Sequence, residues 1–343
     1  MSLPEPEPHA ADAANPYAKA PFDGRRFANL SGRAQQGLLA VLRWLRARPR
    51  SDWPAHLADA PAAAPLARVS DDAIHATLIG HATVLLQVAG LNILTDPVFS
   101  ARIGPVARLG VPRVQAPAIA LADLPPIDVV LLSHNHYDHL DRPSLAALHA
   151  RDRPLVLTGL RVGRDVPRGL RVHEMDWWQA HEIAPGVRAV YVRAEHFSGR
   201  GAFDTNASLW GGFVLETPAG RIFFAGDTGA GSHFAAIRAR FGPMTLSLLP
   251  IGAYAPRWFM QPVHIDPAEA LAASMTLESQ VSLAIHHATF RLSDESIDAP
   301  ERELLRVLAA APAGRAGTDF RVVACGGRLE VRREVLPDAL AAA

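Results

Sequence analysis

An α/β protein of two sheets with helices outside them is what the sequence predicts, and three observations carry that expectation. Short apolar runs of β type follow one another from Ile74, later runs alternate with helical stretches, and 49% of the residues are hydrophobic, enough for a substantial core. The runs "IHATLIG", "TVLLQVA" and "LNILTD" are separated by Gly80-His81 and Ala89-Gly90, which reads as a strand meander with tight turns. "DVVLLS" reads as a buried strand, with a helix starting near Pro143 behind it. Further strands are expected at "PLVLTG", "VRAVYVRA", "SLWGGFVLE", "RIFFAG", "LSLLPI" and "VSLAIHH", and helices near 233–241, 267–279 and 300–310.

Before this region the pattern differs. The first 30 residues are rich in proline, alanine and charge, and predict a mobile or loosely wrapped arm. In "RAQQGLLAVLRWLRARPR" the residues Leu38, Leu42 and Leu45 sit at i, i+4 and i+7, while Arg43, Arg46 and Arg50 recur on another face. The spacing predicts a basic amphipathic helix from about Arg33 to Arg48, ended by Pro49 and Pro54. Such a helix either docks its leucine face on the core, the commoner use, or attaches to a membrane surface or a partner. A proline-rich stretch, "APAAAPLA", then links it to the rest. The expected division is therefore residues 1–70 as arm and helix, and 71–335 as the domain that carries the chemistry.

Charge and cysteine narrow the function classes. Lys+Arg and Asp+Glu both number 34, so no global field favours nucleic acid, and no nucleic-acid partner is expected. Lysine occurs only at Lys19; arginine abundance of this kind, beside so many alanines, reads as codon bias rather than phosphate selection. The arginines between Arg151 and Arg171 are accordingly read as a solvated face. Cys325 is the single cysteine, which excludes an intramolecular disulfide and a thiolate metal cage and points to a reducing compartment. No apolar core follows a basic start at the amino terminus, and no run of 18 apolar residues occurs, so neither a signal peptide nor a spanning helix is expected. The expected location is cytoplasmic, with peripheral attachment at the inner membrane surface as the alternative the helix raises.

The chemistry gathers where strands end. "LLSHNHYDHLD" crowds three histidines and two aspartates into the eight positions from His134 to Asp141. His134 and His136 are two residues apart, so in extended backbone they point the same way and can grip one ion, while Asp138 and His139 can serve another. Burying so many polar groups unpaired has no structural benefit to offset its cost. Later strand ends offer His196 in "RAEHFSGRG", Asp227 in "FFAGDTGAG", and His286 or His287 in "LAIHHATF". Asp227 lies between Gly226 and Thr228, in a turn that presents a carboxylate with little obstruction, as a bridge between two ions requires. Asp96 of "LTDP" and His81 of "GHAT" are candidates for fixing ligand tautomers, with an ordinary turn residue the equal alternative for His81. His75, His149, His173 and His181 lack ligand-like spacing, and His233, after Ser232, reads as a first-turn residue.

Together these residues resemble the metallo-β-lactamase fold, an αββα sandwich, over about residues 74–330. The flanking words "GHATVLLQ", "ILTDPVFS", "MDWW", "FFAGDTGA", "RFGP" and "PIGAYAPRWFMQPVHIDPAEA" resemble more narrowly the N-acyl-phosphatidylethanolamine-hydrolysing phospholipase D family of zinc-dependent phosphodiesterases. That resemblance implies two zinc ions per chain. The first would be held by His134, His136 and His196, the second by Asp138, His139 and His286, with Asp227 as the bridge. His286 is preferred because it follows "AI"; the next position, where the family implies an aromatic, is His287. The resemblance also places His264 of "VHIDP" beside the substrate phosphate and Tyr137 at the mouth. A water shared by ions about 3.5–4 Å apart is ionised near neutral pH and can attack phosphorus in line, with Asp138 as a candidate proton acceptor and His264 as a hydrogen-bond donor. The implied substrate is a phosphodiester, a phospholipid in the family's case. The arm shows no comparable match, so lipid access and homodimer formation stay open. Two other classes remain: a lactonase of the L-ascorbate-6-phosphate type, using the same metals on a carbonyl, and a non-enzymatic metal-dependent sensor. A sensor would not need the full ligand set.

Overall fold

The computed structural model describes residues 15–49, 53–58, 64–70, 72–106, 109–312 and 314–334. The start of the predicted arm, residues 1–14, and residues 60–63 of the proline-rich link lie outside them, as does the side chain of Leu38. Two seven-stranded mixed sheets face each other, with helices on their outer faces, giving the αββα sandwich. The first sheet is built from β1 (Ala73–Gly80), β2 (Thr83–Val88), β3 (Leu91–Thr95), β6 (Val129–Leu132), β7 (Leu155–Gly159), β8 (Arg171–Met175) and β16 (Arg328–Arg332), in the order β16-β1-β2-β3-β6-β7-β8. The second contains β9 (Ala180–Ala184), β10 (Val187–Val192), β11 (Gly212–Thr217), β12 (Gly220–Phe224), β13 (Leu246–Pro250), β14 (Val281–Ile285) and β15 (Phe320–Arg321), in the order β15-β14-β13-β12-β11-β10-β9. A short hairpin, β4 (Arg102–Ile103) with β5 (Val111–Pro112), stands apart from both.

Side-chain alternation explains the layering. In the first sheet Leu78, Val84, Leu86, Ile93, Val129 and Leu131 face the second sheet, while Ile79, Leu85, Leu94, Val130 and Leu132 pack outward with Leu145 and Leu148 of helix Arg142–Arg151. Both faces of the central strands are thus covered, which is why they read as continuous apolar runs rather than as alternating ones. Beyond β3 the neighbours β6, β7 and β8 are parallel, as are β13, β14 and β15 beyond β12. Helices His233–Phe241, Pro267–Thr276 and Ala299–Ala309 serve the second sheet, and the middle one starts with a capping box between Asp266 and Glu269.

Two expectations about the amino-terminal region need correction. Residues 15–33 are not loose: the Ala20 amide donates to Asp176 (3.1 Å), the Phe27 amide donates to the Asn206 carbonyl (2.7 Å), and Tyr17 meets Trp178 edge-on. The amphipathic helix is present but shorter, Leu38–Ala47. It docks by Trp44, which stacks on Phe259 and donates from its indole to Asp294 (2.9 Å), and by Arg48 beside it. Of the predicted row, Leu42 and Leu45 are 49% and 52% exposed, and the neighbouring Leu39 is 84% exposed, so these three leucines do not form the docking face. Trp44 offers more area than any leucine and also a polar handle, and its contacts turn the leucines outward. Among the described residues no helix is long and apolar enough to cross a membrane.

Candidate metal centre

Four strand ends, one from the first sheet and three from the second, converge on one rim. After β6 the chain leaves extended structure at Ser133 and enters a turn in which the His139 and Leu140 amides both donate to the His136 carbonyl. Asp138 and His139 project from this turn, His136 from its start and His134 from the short irregular stretch before it, so the four donors leave a loop beyond the strand rather than the strand itself. Beyond β10 the chain delivers His196, beyond β12 Asp227, and beyond β14 His286. Asp227 reaches the loop because Gly226, at φ +61°, lies against Ser133: a Cβ there would sit 2.7 Å from the Ser133 Cβ.

The donors fall into two groups that share a carboxylate. His134 Nε2 lies 2.8 Å from His136 Nδ1, which lies 3.2 Å from His196 Nε2. Asp227 Oδ2 stands 3.7 Å from His196 Nε2 and 4.0 Å from His134 Nε2. On the other side Asp138 Oδ2 is 3.1 Å from His81 Nε2, 3.2 Å from His286 Nε2 and 3.4 Å from His139 Nε2. Asp227 reaches this group as well, 3.1 Å from His139 Nε2 through Oδ2 and 3.2 Å from His286 Nε2 through Oδ1. His264 Nδ1 is 4.0 Å from Asp227 Oδ2, with its ring 5.1 Å from that of His196 and 5.6 Å from that of His286. His287 is in neither group.

The cage passes a test of fit for cations. His139 Nε2 and Asp227 Oδ1 are buried and close to oppositely charged atoms, yet neither has a hydrogen-bond partner among the described residues. Atoms near each other but not aligned on each other face a common point. The remaining nitrogens of three rings are held from behind: His139 Nδ1 by Asp96 (2.6 Å), His134 Nδ1 by Ser133 Oγ (2.9 Å), and His196 Nδ1 by the Val263 carbonyl (2.8 Å). Each therefore presents Nε2 to the cavity, the arrangement in which a backing acceptor fixes the tautomer of a ligating imidazole. Imidazoles with carboxylates suit borderline divalent ions such as zinc.

Charge tells the same story. Burial, with neighbouring histidines, pushes the His134 ring well below its ordinary pKa, His136 to about 3 and His196 to about 4, so all three are neutral and their lone pairs are available at neutral pH. Burial opposes the charge of Asp138 and Asp227, but His139 and its neighbours outweigh it and hold both carboxyls well below the usual range. Burial likewise opposes protonation of His139 and His286, yet Asp227 and Asp138 drive His139 well above the ordinary value and His286 up to about 9. In the bare protein, protons on these two rings supply positive charge that the carboxylates demand.

Other residues support the cage. Asp96, fully buried, accepts from the Ser133 amide (2.7 Å) and hydroxyl (2.5 Å) as well as from His139. His81 is buried at φ +55°, its amide donating to Thr289 Oγ1 and its carbonyl accepting from the His286 amide, so it ties two walls together. Tyr137 donates its hydroxyl to the Arg200 carbonyl (2.6 Å) and lies under the Arg200 guanidinium at 3.9 Å. Arg200 also donates to the carbonyls of Asn135 and Leu140, both at 2.8 Å, and so knits the ligand loop from outside. Sequence reasoning missed Arg200, and equally the buried Arg193 that pairs with Glu195 (3.0 Å), because arginine was discounted as a class. His233 begins its helix as expected, but it is buried against Thr228 (3.1 Å) with its pKa pushed well down by that burial.

Comparison with known proteins agrees with this architecture. A family model described as a beta-lactamase superfamily domain matches residues 91–287. An uncharacterised protein of Mycobacterium tuberculosis is 39% identical over 234 residues, 66% of this chain and 62% of that protein. The chain thus spans less than two thirds of that relative's length. The N-acyl-phosphatidylethanolamine-hydrolyzing phospholipase D 1 of Caenorhabditis elegans is 32% identical over 271 residues, 75% of this chain and 76% of that one. Among solved structures, an isothiocyanate hydrolase from Delia radicum gut bacteria superposes with a TM-score of 0.59 at 22% identity, over 74% of this chain and 98% of that chain, a likeness of fold alone.

Proposed function

Because the chain belongs to the beta-lactamase superfamily domain family, we propose that it is a binuclear zinc-dependent hydrolase of phosphodiesters, acting in the manner of a phospholipase D on N-acylphosphatidylethanolamine-like substrates. The observation that carries the reading is Asp227, whose two oxygens lie against both donor groups. His134, His136 and His196 would hold one ion, Asp138, His139 and His286 the other, and Asp227 both. When bound, such a pair supplies a water acidified toward neutral pH and offsets charge on the phosphoryl oxygens.

The chain's own groups do the rest. Asp138 is anchored through Oδ2 by three rings and accepts the proton that the attacking water gives up. His264 keeps a neutral ring because burial pushes its pKa well down, and its Nδ1, buried and without a hydrogen-bond partner among the described residues, faces the shared carboxylate. From there the ring is placed to give a hydrogen bond to a phosphoryl oxygen as charge grows on it. Tyr137, its hydroxyl engaged by the Arg200 carbonyl and its ring under the Arg200 guanidinium, would flank the mouth. For the lipid the support is the solvent-facing row Leu39, Leu42 and Leu45 next to exposed Arg43 and Arg46, with Trp258, 43% exposed, under Arg43. An apolar row flanked by arginines suits peripheral attachment to an anionic bilayer. Within the division into 1–70 and 71–335, attachment falls to the helix Leu38–Ala47 and the metal ligands to the second part, while residues 29–33 pack against the loops that carry those ligands.

The test is direct. Protein purified with its native metals is analysed for zinc and assayed on lipid and soluble phosphodiesters beside a panel of lactones. About two zinc ions per chain with turnover of the phosphodiesters is the expected result; lactone turnover alone moves the chemistry to a carbonyl, and metal without any turnover makes the chain a sensor.

A further inference from the structure

The segment Asn29–Arg33 precedes His196 by more than 160 residues, yet it supplies the groups that fix that ligand's backbone. The Asn29 carboxamide donates to the His196 carbonyl (2.9 Å) and to the Arg33 carbonyl (2.8 Å), and its oxygen accepts from the His196 amide (3.3 Å) and the Trp210 indole (3.0 Å). Both donors and both acceptor positions of the side chain are thereby used. Gripping N–H and C=O of one residue together, as a neighbouring strand would, leaves the His196 peptide little freedom to turn. The grip continues to either side. The Ser31 hydroxyl bonds to Glu195, and Arg33 donates to the Ala230 carbonyl (2.6 Å), three residues past Asp227. The Glu195 amide donates to Thr228 Oγ1 (2.9 Å) and its carbonyl accepts from Gly229 (2.7 Å), so the loops bearing His196 and Asp227 are sewn to one strap.

We infer that this strap belongs to the metal centre, and that Asn29 is a positioning residue that aims His196 at the ion it shares with His134 and His136. The inference rests on the binuclear reading above. Asn29 touches neither ion nor substrate; it acts through the His196 backbone, while the ring is backed at Nδ1 by the Val263 carbonyl, from a different element. Without the carboxamide, the His196 N–H and C=O are left buried and unpaired, and the peptide must rotate to find partners.

The experiment uses the full chain, stripped of metal and titrated with zinc against a chromophoric chelator, with the cobalt(II) absorption spectrum as a second readout. Asn29→Ala is expected to keep one ion at wild-type affinity and to bind the other about 10- to 100-fold more weakly, the usual consequence of losing a group that orients a ligand. Its cobalt spectrum should lose the contribution of one site. Asn29→Asp keeps an acceptor for the His196 amide and the Trp210 indole but loses both donors, so its affinity should fall between the other two. Leu304→Ala, a fully buried change in the distant helix Ala299–Ala309, controls for stability: it should lower the melting temperature and leave both affinities intact. Wild-type affinity for both ions in Asn29→Ala overturns the inference, as does a loss of both ions in step with melting temperature. A wild-type chain that binds fewer than two ions overturns the binuclear reading itself, and the inference with it.

Discussion

Replacing Asp96 by asparagine changes one atom of a fully buried side chain and should weaken metal binding without unfolding the protein. Asp96 Oδ1 accepts from the Ser133 amide, which an asparagine oxygen can continue to do. Oδ2 accepts from Ser133 Oγ and His139 Nδ1, and there the substitution places an NH₂ group. The serine hydroxyl can reverse and accept; the imidazole can comply only by changing tautomer. His139 then carries its proton on Nε2, pointing at Asp227 and Asp138 and occupying the lone pair an ion would need. Losing one hydrogen bond to a charged group costs about 1.5–3 kcal/mol, which corresponds to about 10- to 100-fold in zinc affinity. By linkage, the stabilisation conferred by saturating zinc should fall by the same free energy. The metal-free protein should behave differently. Burial pushes the Asp96 carboxyl up against the pull of His139 and Ser133, so neutralising it removes a cost that offsets the loss of the second His139 proton, while Nε2–H still faces the two carboxylates when no ion is present. Calorimetry with and without zinc, beside chelator competition, checks both halves: the metal-free melting temperature unchanged or higher, the zinc-loaded one a few degrees lower. Wild-type zinc affinity in Asp96→Asn would refute the argument, because a correctly oriented His139 would then not depend on Asp96.

Other outcomes are equally specific. Asp227→Asn should abolish turnover more completely than His264→Ala at matched metal content, since one residue lies against both donor groups and the other only near them; steady-state kinetics on metal-quantified protein decide it. His286→Ala should lose an ion and activity together, whereas His287→Ala should retain its metal and change at most the substrate constants, as paired metal analysis and kinetics will show. Converting Leu39, Leu42 and Leu45 to serine should leave turnover of a soluble phosphodiester intact and reduce sedimentation with anionic vesicles. Wild-type binding should also weaken with salt, because Arg43 and Arg46 near a charged bilayer contribute about 1 kcal/mol each through a screened attraction. Equal vesicle binding by the serine variant would remove the leucine row from any role in attachment.

How much of this could be seen in the sequence depends on how locally each feature is encoded. "HNHYDH" is legible because four donors of the cage lie within six residues, and the apolar runs of β1, β2, β3 and β6 are legible because both faces of those strands are covered. The strands β8, "RVHEM", and β9, "AHEIA", each form one edge of a sheet and expose alternate residues, so charge and histidine hide them; β16, "RLEVR", is the same case at the opposite edge. The docking face of the helix Leu38–Ala47 was misjudged because three regularly spaced leucines outweigh one tryptophan in a periodicity argument but not in a packed contact. Asn29 and Arg200 were invisible for a different reason. A side chain that acts by binding a distant backbone carbonyl leaves no mark on the partner's residue type.

One feature of the cage reaches beyond chemistry. The loop that carries His134, His136, Asp138 and His139 leaves the first sheet, whereas His196, Asp227 and His286 leave the second, so any ion shared across the rim is a clasp between the two halves of the sandwich. A chain with a single cysteine has no covalent means of cross-linking those halves. Coordination bonds can do so instead, and unlike a disulfide they form in a reducing environment and open under a chelator. Stripping the ions should therefore be felt along the seam between the sheets as faster amide exchange at the ends of β6, β10, β12 and β14, while the outer edges at β8 and β16 exchange as before.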